Sequence, residues 1–346
     1  MEMLFYRESK LATEQEPLVP AMAQQTVLKV AVFARPMHYN GSKTTETKPM
    51  TGSATDFLPL QGTRILSLAL NLPGPAALWR CASMGADCHK LEPMAPGGGG
   101  ADPMGLYCPG AFAQMHQGVK LMQADLKTEA GQALLHEQLA QTDVLLTSFR
   151  PSALNKLGLG WEALQQRYPR LSLIRVVGSE GPLADVPGHD LTYQAEAGLV
   201  HSTALPPSLF ADMAGALMAS EAVLQAVLIS SRSGKGVCKE VGLAQAAQWL
   251  ALPWHWGLTQ PTGDVGGAHA GYRIYPCADG IVAVAALEPH FAQRLCAAVG
   301  LVDSSAADMR SAATHDAVAQ FMARQSCALL MQLAEDKDIP LHAIAN

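Results

Sequence analysis

RILSLALNLPGPAALWRCASMGADCHKLE, residues Arg64 to Glu92, is the stretch on which the fold turns. RILSLAL is an apolar run of strand length, and Pro73-Gly74-Pro75 marks a turn behind it. AALWRCASMG then reads as a helix and CHKLE as a second strand, giving a β-α-β unit.

The alternation continues downstream. DLKTEAGQALLHEQLA predicts a helix with Thr128 near its start, DVLLTSF a strand, WEALQQRY a helix and LSLIRVV a strand. Apolar strands separated by helices predict a parallel sheet covered on both faces. Residues 212–230 predict a long apolar helix, SRSGKG a turn, and 240–252 a second helix. From Gly266 the texture changes. GYRIYPCADGIVAVAAL predicts a hairpin turning at Ala278-Asp279-Gly280, followed by a helix over EPHFAQRLCAAVG. The expected class is therefore α/β, with a parallel-sheet, Rossmann-like large domain and a small α+β domain.

Residues 1–57 are rich in Thr, Gln, Lys and Ser and read as an N-terminal extension, within which Met50 is an alternative start. The large domain is expected over 58–242, a linker helix region over 243–265 and the small domain over 266–346. PMAPGGGGADPMG reads as a flexible loop rather than a phosphate cradle, because no strand leads into its glycines.

Composition narrows the function. The chain of 346 residues is 49% hydrophobic and 16% charged, with a formal charge of -6, which excludes wholesale disorder and disfavours nucleic acid as a partner. Its seven cysteines are dispersed with no C-x-x-C pair, as expected for reduced thiols in the cytoplasm. Its 11 histidines form no H-E-x-x-H motif, and no metal site is expected. No run of membrane-spanning length is expected, and the acidic N-terminus lacks a signal-peptide core. The reading is of a soluble, cytoplasmic protein.

Two ionisable stretches stand out against this low charge. In PGHDLTYQAEAG, Pro187 to Gly198, Asp190 suits a helix N-cap and His189 sits just outside the first turn. The positive end of the helix dipole favours a neutral, basic imidazole there. In LFADMAGAL, Asp212 opens an apolar helix, where burial would raise its pKa and make it a proton donor. A satisfied histidine and a plain cap are the structural alternatives.

Taken in order, these stretches resemble the family III CoA-transferase superfamily (CaiB/BaiF type), and within it the α-methylacyl-CoA racemases. LPLQGTRILSLALNLPGPAALWRCASMGADCHKLEP resembles the family's opening. QADLKTEAG and DVLLTSFRPSALNKLGLGWEAL resemble two further blocks. GPLADVPGHDLTY matches the racemase form G-H-D-x-x-Y, FADMAG resembles the following aspartate block, and SGKG comes next. GGAHAGYRIYPCADGIVAVAALEPHF resembles the racemase hairpin with its E-P-x-F ending.

The resemblance implies an acyl-CoA thioester as substrate, no metal or redox cofactor, and an interlocked homodimer. It implies that His189 and Asp212 are the two acid/base residues and that Glu288 reaches the site of the other subunit. Asp190 and Tyr193 would support the histidine, Arg150 would contact CoA, and the backbone of Gln123, Ala124, Asp125 and Leu126 would lie along it. The family's transferases imply a second activity, with Asp212 attacking an acyl-CoA to form an anhydride. Departures from the pattern point to a third possibility, a weakly active CoA-binding relic. Pro93 stands where an arginine is usual, the basic block is reduced to Lys120 in HQGVKLM, HAGY replaces P-F-Y, and the family's C-terminal return segment is not seen after IPLHAIAN. A nicotinamide dehydrogenase is disfavoured because the first β-α turn reads NLPGPA rather than G-x-G-x-x-G.

Overall fold

The computed structural model describes residues 58–95, 98–301 and 308–346. The expected N-terminal extension and the alternative start at Met50 lie outside them. The first stretch folds as β1 (Arg64–Ser67), α1 (Pro73–Ser83) and β2 (Asp87–Glu92). Pro73 and Pro75 do not form a separate turn. They occupy the first turn of α1, where backbone N–H groups have no intrahelical partner and proline removes nothing.

The glycine-rich segment is only partly a loop. Asp102 N-caps α2 (Pro103–Tyr107), accepting from Met104 N at 3.0 Å, and α3 (Pro109–Met115) follows. The chain continues through β3 (Lys120–Gln123), α4 (Glu129–Leu139), β4 (Val144–Thr147), α5 (Pro151–Lys156), α6 (Trp161–Arg167) and β5 (Ser172–Val177). Thr128 caps α4 by accepting from Gly131 N, as its position in the sequence suggested. Next come α7 (Asp190–Glu196), α8 (Phe210–Ser233), β6 (Cys238–Gly242) and α9 (Leu243–His255).

Six parallel strands form one sheet in the order β3-β2-β1-β4-β5-β6. The order reverses between β1 and β4, the place where open α/β sheets bind ligands. One apolar cluster joins the sheet to α1 and α8, and a second joins the opposite face to the α4–α6 side. The expected helix at 240–252 begins later, because its first residues form β6. Both strands missing from the sequence reading, β3 and β6, are sheet edges. They bury less than the central strands and so carry no continuous apolar run.

Among the described residues, α8 alone is long and apolar enough to cross a membrane by length and composition, although the sequence suggested no such run. Its small residues Ala216, Ala219, Val223 and Ala226 pack into the core beside α1. Within the segment read as a linker, α9 shares a buried cluster with Tyr193 of α7 and Ala211 of α8.

The remaining elements are β7 (Tyr272–Cys277), β8 (Gly280–Ala285), α10 (Pro289–Ala298), α11 (Ala312–Arg324), α12 (Cys327–Lys337) and β9 (Leu341–Ala345). The three strands make an antiparallel sheet in the order β7-β8-β9. The alternating burial of β8 puts Val282 and Val284 against the helices and leaves Ile281 outward.

Candidate active site

A cavity of about 170 Å³ opens at the C-terminal ends of β1, β4 and β5, at the strand-order reversal. Asn71 enters it from the turn after β1, Arg150 from the turn after β4, and Gly178 from the end of β5. His189 and Tyr193 line it from α7, and Asp212 from the first turn of α8.

The helix carrying the His-Asp pair starts one residue earlier than its sequence suggested. His189, not Asp190, occupies the N-cap position, exposed and in extended geometry. The Thr192 hydroxyl accepts from His189 N at 3.1 Å and fixes this entry. Asp190 therefore does not cap its own helix. Its buried carboxylate reaches across to α8, where Oδ1 accepts from Asp212 N at 3.0 Å. That helix has Leu209 at its N-cap and no side-chain cap of its own, so Asp190 fills the role in trans. The Gln194 amide holds the other Asp190 oxygen and also donates to Ser208 O at 3.3 Å.

This arrangement sets the acidity of Asp212. Burial, reinforced by the negative charge of Asp190, pushes its carboxyl up to about 7. Tyr193 is buried beside it, and burial followed by the Asp212 charge raises the phenol. The ring fits because Gly178 and Gly188 have no side chains. A Cβ at Gly178 would come 2.3 Å from Tyr193 Oη, and one at Gly188 would come 2.5 Å from it.

The β1 wall is held by a buried charge cluster. Lys90, fully buried in β2, donates to Asp102 Oδ2 at 2.5 Å and to His116 Nε2 at 2.9 Å, and faces Glu92 at 3.2 Å. Burial, followed by the charge of Lys90, lowers the His116 pKa, consistent with a neutral ring that accepts this bond. Glu92, Asp102 and His116 have metal-ligand spacing, but the Lys90 ammonium already sits among them. Asp102 Oδ1 also accepts from Asn71 N at 3.1 Å, fixing Asn71 at φ 64° on the cavity wall. The left-handed conformation suits asparagine better than most residues.

A second cavity, of about 530 Å³, is lined by Ala124, Asp125, Leu126 and Lys127 after β3, by Pro93 after β2, and by Phe149. The two cavities share the β4–α5 turn, where Phe149 lines one and Arg150 the other. Gln123 is not on this lining; its amide lies against the Gly99–Gly100 backbone. Lys120 lies at the opposite end of β3 from both cavities. Glu288 is exposed at the N-cap position of α10 and lines neither cavity in this chain.

Of the residues singled out from sequence, the first cavity thus gathers His189, Asp212, Tyr193 and Arg150, with Asp190 directly behind. The sequence reading passed over Asn71, Gly178 and the Lys90–Asp102 pair. A signal existed only at Asn71, an Asn-Leu-Pro-Gly-Pro turn that favours a left-handed asparagine.

Fold and site together define an α/β protein with a ligand cavity at the sheet crossover and a carboxyl poised near neutrality. The chain belongs to CoA-transferase family III, whose family profile matches residues 60–346. It is 31% identical over 276 residues to a probable fatty acyl-CoA transferase of Mycobacterium tuberculosis, covering 71% of this chain and 70% of that protein. It is 29% identical over 262 residues to the human alpha-methylacyl-CoA racemase, covering 70% of this chain and 65% of the racemase. The crystal structure of a hypothetical protein from Mycobacterium tuberculosis matches with a TM-score of 0.70 at 27% identity, over 83% of this chain and 84% of the other. The matched region thus spans about two thirds of the two curated relatives. Relatives of both reaction types stand at similar identity, so the family is enzymatic and the particular reaction is left to the chemistry of the site.

Proposed function

We propose that the protein is an acyl-CoA racemase or epimerase acting at the α-carbon of 2-methylacyl-CoA thioesters. The observation that carries this reading is that His189 and Asp212 line one cavity from two different helices, with the Asp212 carboxyl raised to about 7. Inverting the α-carbon requires removal of a proton from one face and delivery to the other. His189 accepts the proton through a ring nitrogen, giving a planar enolate. Protonated Asp212 donates to the opposite face, and the reverse direction exchanges the roles. A carboxyl near neutrality is present in both forms at physiological pH, which suits this exchange. First-turn N–H groups of α7, just behind His189, supply dipoles toward the developing oxyanion. Tyr193 and Asp190 position the pair.

In this reading Arg150 contacts the CoA moiety, which runs past Ala124–Leu126 into the second cavity, and Lys127 offers it a cation that the Pro93 position lacks. Glu288 acts in the cavity of a second copy, so the working unit is a homodimer. The chemistry requires no metal or redox cofactor, and the dispersed cysteines fit a cytoplasmic setting.

A second reading rests on the same carboxylate. Asp212, in its ionised form, attacks the thioester carbonyl and expels CoA thiolate, giving an acyl-aspartyl anhydride; the thiolate attacks the aspartyl carbonyl and releases the first carboxylate. The acceptor carboxylate then attacks this aspartyl thioester, expelling the thiolate, which attacks the acceptor carbonyl of the new anhydride, so that acceptor-CoA leaves and the Asp212 carboxylate is restored. Proton NMR of the protein with a 2-methylacyl-CoA in deuterated water separates the two. Loss of the α-proton signal with epimerisation, without any acceptor, is the expected result. CoA transfer to an added carboxylate with no α-exchange replaces the racemase reading with the transferase, and silence in both removes both.

A further inference from the structure

The small domain holds a chemical feature that the proposed reaction does not use. Cys277 ends β7 and Cys327 opens α12, and their Sγ atoms lie 3.4 Å apart. The contact is built by the backbone around it. Cys327 N donates to Asp279 Oδ1 at 2.7 Å, and Ala278 N donates to Gln325 O at 2.9 Å. The β7–β8 turn is thereby fastened to the start of α12 on both sides of the thiols. Gly280 keeps the space open, since a Cβ there would come 3.0 Å from Cys327 Sγ.

The two thiols differ in access. Cys277 is partly exposed and Cys327 is buried behind it. A reachable thiol with a second thiol in contact is the arrangement of an attacking and a resolving cysteine. We propose that Cys277 and Cys327 form a reversible dithiol–disulfide pair, closed by low-molecular-weight disulfides such as oxidised glutathione.

The step balances without a further reactant. Cys277 loses its proton to solvent, and its thiolate attacks one sulfur of glutathione disulfide. That S–S bond breaks, and one glutathione thiolate leaves with the electron pair. Cys327 then loses its proton and attacks Cys277 Sγ, releasing the second glutathione thiolate. The protein sulfurs give up two electrons, the glutathione disulfide gains them, and both glutathione thiolates take up protons. Burial, followed by the hydrogen bonds to Cys277 and Asp279, raises the Cys327 thiol to about 12.

Asp279 completes a possible ligand set for a soft cation, with all three donor groups close together. The thiols stand closer than the about 3.8 Å edge expected between two sulfurs on a tetrahedral zinc, using a Zn–S distance of about 2.3 Å. The contact favours bond formation between the sulfurs. No residue lining the first cavity lies beyond Leu243, so within one chain the bridge is read through the stability of the small domain.

The test treats the full chain with oxidised glutathione at mildly alkaline pH, then measures intact mass, maps the linked peptides and follows thermal unfolding. The expected result is the loss of two hydrogens, a Cys277–Cys327 linked peptide and a raised melting temperature, all reversed by dithiothreitol. Cys277→Ser and Cys327→Ser should each abolish the link. A lasting glutathione adduct on Cys277, a bridge between other cysteines, or thiols that stay reduced with one zinc retained per chain would each overturn the proposal.

Discussion

The two residues proposed for acid/base work in the cavity stand on unlike supports. His189 sits exposed at the N-cap of a helix of 7 residues, held by local bonds to Thr192. Asp212 sits in the first turn of a helix of 24 residues, partly buried and repelled by a second carboxylate. The difference teaches that one cavity can hold two ionisable groups by opposite means. The histidine is fixed by local backbone and hydroxyl bonds, whereas the carboxyl is moved toward neutrality by burial and charge.

The largest effects should come from removing either group. Asp212→Ala and His189→Ala are each expected to lower epimerisation by about 10³-fold, roughly 4 kcal/mol of barrier, with CoA affinity nearly unchanged by calorimetry. Near-wild-type epimerisation in either variant breaks the comparison, because one support would then carry no chemistry.

Stability separates the two supports next. The pKa of Asp212 is raised on folding from its ordinary value of 3.8 to about 7. The protonated form is the favoured one, so its contribution is complete below about pH 4 and lost as pH rises through about 7. Asp212→Asn should therefore gain roughly 2–4 kcal/mol over wild type at pH 8 and little at pH 4, measured by urea unfolding. Equal gains at both pH values would show that Asp212 is not strained by ionisation.

Gly188→Ala tests the ring between the two groups. The added carbon would come 2.5 Å from Tyr193 Oη, so about 1–3 kcal/mol of stability should be lost and turnover should fall about tenfold. A smaller effect is expected from Asp190→Asn, which keeps an acceptor for Asp212 N but removes the charge. In the direction in which Asp212 donates, the alkaline limb of the pH–rate profile should move to lower pH, and an unmoved limb would assign the Asp212 shift to burial alone. Least of all, Asp185→Ala removes the bonds to Ser152 N and Oγ that tie the loop before His189 to α5. Its expected cost is about 0.5–1 kcal/mol with a few-fold rise in KM, sharpening how far the short helix depends on its loop.

Most of the sheet was legible in the sequence because β1, β2, β4 and β5 bury both faces and read as apolar runs. β3 and β6 were not, since each pairs on one side only and keeps exposed or half-exposed positions. At the site, residue types and order were enough to single out His189 and Asp212. What they could not show was the direction of Asp190. A carboxylate in a first turn looks like a cap for its own helix, and only the tertiary placement of α8 turns it outward. The buried Lys90 was equally hidden, because a lysine in a strand reads as a solvent-facing position until its partners arrive from residues 102 and 116.

The carboxylate of Asp190 grips the start of α8 while repelling the charge that α8 carries. Acidity at Asp212 is thus tied to the distance between two helices. Any motion that draws α7 and α8 apart relaxes the repulsion and weakens the hold of Asp212 on its proton. A ligand that wedges between them would change the protein's shape and its proton affinity in one movement, making the cavity a converter of displacement into acid strength.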